Sequence, residues 1–137
     1  MLNNYLGASH NKLFFKNIFV YKFFKSHNKY ITEKRFYIET RNKFNFIPKL
    51  YLYSDSRRLL IFENVGKRIN KQEFIDNRFA IKKLHDEIYE KSLYYHRDLY
   101  YKNVLKNDTG KLFIIDFESC SKENKNIHKR SKEFYIN

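Results

Sequence analysis

Cysteine, proline, glycine and methionine are scarce in this chain, at 1, 1, 3 and 1 of 137 residues, and tryptophan is absent. Cys120 alone leaves no internal disulfide and no cysteine-based zinc cluster, and fits a reducing, cytoplasmic location. With so little glycine and proline there are no low-complexity tracts, repeats or linkers to divide the chain. No apolar run approaches the roughly 18 residues of a membrane span. Met1, Leu2, Asn3 and Asn4 lack the pattern of a secretory signal. Acidic residues are outnumbered, 15 against 28 Lys and Arg, for a net charge of +13.

Aromatic residues are abundant. Tyr 12 and Phe 14 within a 42% apolar chain argue for a folded domain with a real core. The positive charge is concentrated early, with 12 basic against 3 acidic residues in positions 1–60. Such a half attracts nucleotide phosphates or a nucleic acid, although biased composition with solvated lysines explains it as well. No recognised nucleic-acid motif accompanies it, so a basic nucleic-acid-binding protein ranks as the third functional reading.

Two β-like stretches, Leu6 to Phe15 and Ile18 to Phe24, predict a hairpin turning near Lys16 and Asn17. Tyr30 to Phe44 reads as a helix with Thr32 as N-cap, and Ile47 to Tyr53 as a strand followed by a turn at 54–57. Leu59 to Gly66 is a strand running into a loop. Residues 72–91 form the clearest helix, with Phe74, Ile75, Phe79, Ile81, Leu84 and Ile88 at helical spacing, expected to pack beneath the loop that follows. The tail from Ser121 to Asn137 is polar and basic, with one short helix.

That loop carries the chemistry. Residues 94–118 read YYHRDLYYKNVLKNDTGKLFIIDFE, with His96, Arg97, Asp98, Lys102 and Asn103 ahead of a strand, a turn at Asp108 to Gly110, and a second strand ending in Asp116, Phe117 and Glu118. Asn103 follows Asp98 by 5 positions and Asp116 follows it by 18. Phosphoryl transfer concentrates negative charge, so a site for it must hold a metal, phosphates and acceptor in line, and hard magnesium takes carboxylate and amide oxygens.

The order and spacing resemble the protein-kinase-like superfamily, with the choline, ethanolamine and aminoglycoside kinases as the nearest flavour. Residues 7–14, Ile47 to Tyr51, and the two motifs at 98–103 and 115–118 carry that likeness. Glu118 stands where protein kinases have glycine, whereas Arg97 is typical of protein kinases, as is the short approach from His85 to His96.

The resemblance implies an α+β, two-lobed fold in one minimal domain. Residues 1–66 would be the N-lobe, a small antiparallel sheet plus one helix, with the hinge; residues 67–137 would be a reduced helical C-lobe with a catalytic hairpin. It implies Asp98 as catalytic base, His96 and Arg97 as braces of its loop with Lys102 beside them, and Asn103 and Asp116 as metal ligands. Gly7 and Lys22 would attend the nucleotide phosphates, and Glu33, with Glu39 as alternate, would pair with Lys22. Glu63, Asn64 and Val65 would meet adenine through their main chain. Each also has a plainer reading: Gly7 as an ordinary turn, Lys22 as a solvated strand residue, Glu33 as a helix-dipole acid.

The implied activity is transfer of phosphate from ATP, with magnesium, to a hydroxyl on a small alcohol or on a protein serine or threonine. Only 19 residues follow Glu118, so the helices that build the acceptor site in such kinases are expected to be missing. A nucleotide-binding module without turnover, completed by a protein partner, is the alternative.

Overall fold

The computed structural model describes residues 3–6 (backbone), 11–16, 18–123 and 131. Five antiparallel strands form the first sheet, β1 (Asn3–Leu6), β2 (Lys12–Lys16), β3 (Phe19–Phe23), β4 (Leu50–Ser54) and β5 (Leu59–Glu63), in the order β1-β2-β3-β5-β4. The expected hairpin is β2 and β3, closed between Lys16 and Phe19. β1 is a strand of its own rather than the start of the first stretch. Gly7 lies outside the described residues, as does most of the tail.

Alternation along β3 decides what faces inward. Val20 and Lys22 share the face that lines the main cleft, while on the opposite face Phe23 meets Phe14 edge to face at 5.7 Å. β4 begins at Leu50, three residues later than expected, because Pro48 has no N–H to give to a ladder.

Helix α1 (His27–Glu39) starts and stops earlier than the predicted 30–44. Ser26 is the N-cap, its hydroxyl accepting from the Lys29 N–H at 3.3 Å. Thr32 is interior and its hydroxyl donates back to the Asn28 carbonyl at 2.8 Å. Glu33 is therefore mid-helix, which removes the helix-dipole explanation for it. Thr40 ends the helix, its N–H and hydroxyl both donating to the Phe36 carbonyl. Tyr30, Glu33, Phe36 and Tyr37 form the buried face.

The single helix expected over 72–91 is two, α2 (Lys71–Asp76) and α3 (Arg78–Ser92). Asn77 breaks it by donating its side-chain amide to the Glu73 carbonyl at 2.7 Å, the local competition with helix geometry to which asparagine is prone. The break turns part of the apparent apolar stripe outward. Ile81, His85 and Ile88 are buried, whereas Phe79 is 76% exposed. α2 carries a capping box of Asn70 and Glu73.

Strands β6 (Lys67–Arg68), β7 (Val104–Lys106) and β8 (Leu112–Ile114) make a second antiparallel sheet, and a 3-10 turn at Tyr101–Asn103 leads into β7. β7 and β8 are the strand, turn and strand read around Asp108 to Gly110. Gly66 is required where it stands, because a Cβ there would lie 2.4 Å from the Lys106 carbonyl oxygen. Gly110 supplies the left-handed φ of 87° that closes the β7–β8 turn. The core joins both sheets through α1, where the Phe36 and Phe117 rings stack at 3.9 Å.

The α+β class with a small antiparallel sheet and few helices is as expected.

Candidate active site

Lys22 is 7% exposed, yet its ammonium does not lack partners. Its Nζ donates to Glu33 Oε1 at 2.7 Å and to Asp116 Oδ1 at 3.1 Å, and sits 4.7 Å from the centre of the Phe24 ring. Burial works against the charge, and Asp116 and Glu33 more than reverse it, so the Lys22 pKa stands above the ordinary lysine value. Glu33 fixes more than the lysine. Its other oxygen accepts the Phe117 N–H at 2.5 Å, which ties α1 to the segment bearing Asp116. Of the two glutamates considered for Lys22, Glu33 is thus the partner, and Glu39 instead accepts from the Tyr94 hydroxyl.

The loop before β7 is held from beneath by histidines. The His96 N–H donates to His85 Nε2 at 3.2 Å, and His96 Nδ1 in turn accepts the Asp98 N–H at 3.2 Å. With Nδ1 accepting, His96 Nε2 carries the proton and donates to the Ile115 carbonyl at 2.8 Å. One ring therefore joins the Asp98 loop to the strand end before Asp116. Burial holds both imidazoles below their usual pKa, His85 at about 4.

The sign follows from that direction. The unfolded chain binds protons at His85 from about pH 6.5 downward and the folded chain does so only near 4, so stability is lost as pH falls through that window. Urea unfolding at pH 7 and pH 4.5 should differ by about 2–3 kcal/mol from this group, and His85→Gln should flatten that difference.

Asn103 is fully buried. Its Nδ2 donates to the Asp98 carbonyl at 2.8 Å, and its own carbonyl accepts the Ile115 N–H at 3.0 Å. These bonds leave Asn103 Oδ1 buried with no hydrogen-bond partner among the described residues. An orphaned amide oxygen costs about 1–3 kcal/mol, which a metal ion would recover. Asp116 supplies a carboxylate from the residue next to Ile115, on backbone of φ 68° that a non-glycine residue adopts at a cost. Burial raises its pKa, and Lys22 and His96 more than offset this, leaving Asp116 below the usual range and ionised. No group of three or more His, Cys, Asp or Glu among the described residues is placed to hold a metal ion by itself. The donor set is one carboxylate plus one amide oxygen, which suits a hard cation that keeps water and phosphate ligands.

Lys22, Glu33 and Asp116 line a cleft of about 500 Å³. Leu13, Val20, Phe62, Leu105 and Ile115 give it apolar walls, and Glu63, Asn64 and Val65 also line it. The Glu63 N–H is taken by the Lys49 carbonyl and the Asn64 N–H by the Ile18 carbonyl. No described residue takes the Val65 N–H, so among those three it is the donor left for a ligand.

Asp98 is buried, and both it and Asp116 act electrostatically on His96. Arg97 stands in left-handed backbone, φ 71°, and its charge acts on the buried Cys120 thiol. Lys102 is exposed on the 3-10 turn and does not line the cleft.

Three residues the sequence reading gave no role complete the site. Arg68 on β6 lines the cleft and is drawn to Asp116 electrostatically. Asn11 donates to Glu118 Oε2 at 2.9 Å, joining the start of β2 to the segment after Asp116. The Glu118 carboxylate also acts electrostatically on Lys22 and Glu33. Asn11 and Glu118 each lie in a stretch that carries the likeness, at 7–14 and 115–118, but nothing local marks their pairing across 107 positions.

The comparison with solved structures bears on the fold. One structure of monomeric WbdD shares 18% identity at a TM-score of 0.71, matching 99% of this chain and 40% of that one. Another, of the bifunctional kinase-methyltransferase WbdD, shares 20% at 0.67, matching 99% and 37%. The fold is kinase-like. The chain spans about two fifths of the length of those structures. No family model and no curated relative matches the sequence.

Proposed function

We propose that this chain is a phosphotransferase that uses ATP and magnesium to phosphorylate a hydroxyl, a small-molecule alcohol ahead of a protein serine or threonine. The observation that carries this is the buried convergence of Lys22, Glu33 and Asp116, with Asn103, whose Oδ1 is orphaned, tied through its backbone carbonyl to the N–H of Ile115 next to Asp116. In this reading the first sheet and α1 form a lobe over the nucleotide, and α2 to β8 form a reduced second lobe.

The apolar walls take the base and Val65 donates its N–H to it. Lys22, aimed by Glu33, holds the phosphates as a point charge. Asn103 and Asp116 would hold magnesium, which neutralises charge developing on the transferred group. Asp98 accepts the acceptor's hydroxyl proton, and His96 with Asn103 fixes the backbone of Asp98 so that this carboxylate stays in place. Arg97 braces the loop from its far side.

Incubation with γ-labelled ATP, magnesium and a panel of amino alcohols, aminoglycosides and generic protein substrates tests the reading. Asp98→Asn should slow transfer about 10²- to 10⁴-fold while leaving ATP affinity within a small factor. Nucleotide binding with no transfer to any acceptor would instead favour a binding module that works through a partner.

A further inference from the structure

β4 is an edge of the first sheet. Its sequence, LYLYS, holds no charge and no proline, and Tyr51, Leu52 and Tyr53 are 45%, 65% and 50% exposed. Natural sheets guard such edges with lysine, proline or a covering element, because an open apolar edge pairs with any extended chain that reaches it. Among the described strands none lies beyond β4. Beside the strand runs a groove of about 590 Å³ between the end of α1, residues 40–49 and β4 itself, which adjoins the nucleotide cleft and shares Tyr37, Pro48 and Glu63 with it.

The groove has an apolar floor that includes Phe44 and Leu50, and cations Arg41 and Lys49 on its rim. No ion pair among the described residues engages either cation. Glu63 is the one acid lining it, and that carboxylate already accepts the Lys49 N–H at 2.9 Å. An edge strand gives main-chain hydrogen bonds, the floor takes alternate side chains, and the rim requires negative charge. A second copy of this chain fits poorly, because it would bring +13 against +13.

We infer that β4 and its groove form a docking site for an acidic, extended peptide segment of another protein, added as a sixth strand with its apolar side chains in the groove. The site adjoins the nucleotide cleft through Tyr37, Pro48 and Glu63, but the inference does not rest on the activity proposed for that cleft.

The probe is a fluorescein-labelled nine-residue peptide alternating Glu and Val, followed by anisotropy. It should bind, and the same peptide with Lys for each Glu should not. Arg41→Glu combined with Lys49→Glu should weaken binding about 10-fold or more, with the thermal midpoint unchanged because both side chains are exposed. N-methylation of alternate peptide bonds should abolish binding to the unaltered chain, a test that needs no folded variant. Equal binding of the Lys peptide, indifference to N-methylation or to the double substitution, tighter binding of a single-stranded oligonucleotide, or self-association in sedimentation would each overturn the inference.

Discussion

Asp116→Asn should lower ATP turnover about 10²- to 10³-fold, the scale of removing one preorganised electrostatic group from a transition state. The substitution keeps shape and leaves an oxygen within reach of Lys22 Nζ, now 3.1 Å from Oδ1, so the lysine stays in position. What it removes is the ionised carboxylate that Lys22 and His96 keep below its usual pKa. Titration calorimetry of ATP with and without magnesium separates these effects. Affinity for free ATP should hold, whereas the enhancement by magnesium should disappear. Turnover and magnesium enhancement both equal to those of the unaltered chain would show that Asp116 has no metal-binding role.

Lys22→Met should cost about 3–5 kcal/mol of folding stability at pH 7, because Asp116 would remain buried without its cation and Glu33, whose pKa burial already raises to about 7, would have to take up a proton. Glu33 is 1% exposed and Asp116 is a tenth exposed at its side chain, so water cannot replace the ammonium. The loss is a large part of the roughly 5–15 kcal/mol that holds a domain together. Urea denaturation reads it directly. Adding Glu33→Gln to Lys22→Met should recover part of the loss, since the second substitution removes a buried carboxyl that must otherwise be protonated or left charged, and a double variant no more stable than Lys22→Met would refute the ion-pair account. The two variants differ in kind: Asp116→Asn acts on chemistry in a folded protein, Lys22→Met on the fold itself.

The site was legible where its chemistry is written in short, fixed spacings. Asp98, Asn103 and Asp116 sit on one loop, turn and hairpin, so their separation along the chain nearly fixes their separation in space. The strand and turn signals around Asp108 to Gly110 located β7 and β8 for the same local reason. Lys22 and Glu33, on consecutive elements, were also within reach of inspection. Helix limits were read less well. Ser26 rather than Thr32 caps α1, and Asn77 splits the second helical stretch, because a side chain's bond to nearby backbone outweighs a favourable apolar period.

Sequence alone determined the class of fold and which residue types the candidate site collects, because those depend on pattern and local spacing. Tertiary structure decided everything that joins distant segments. It brought Lys22 against Asp116 across 94 positions and Asn11 against Glu118 across 107. It used the N–H groups of Glu63 and Asn64 elsewhere and left that of Val65, and it orphaned Asn103 Oδ1 by spending the rest of that side chain on the Asp98 carbonyl. Burial also set the charges there, since desolvation and neighbouring ions arise only once the chain has packed.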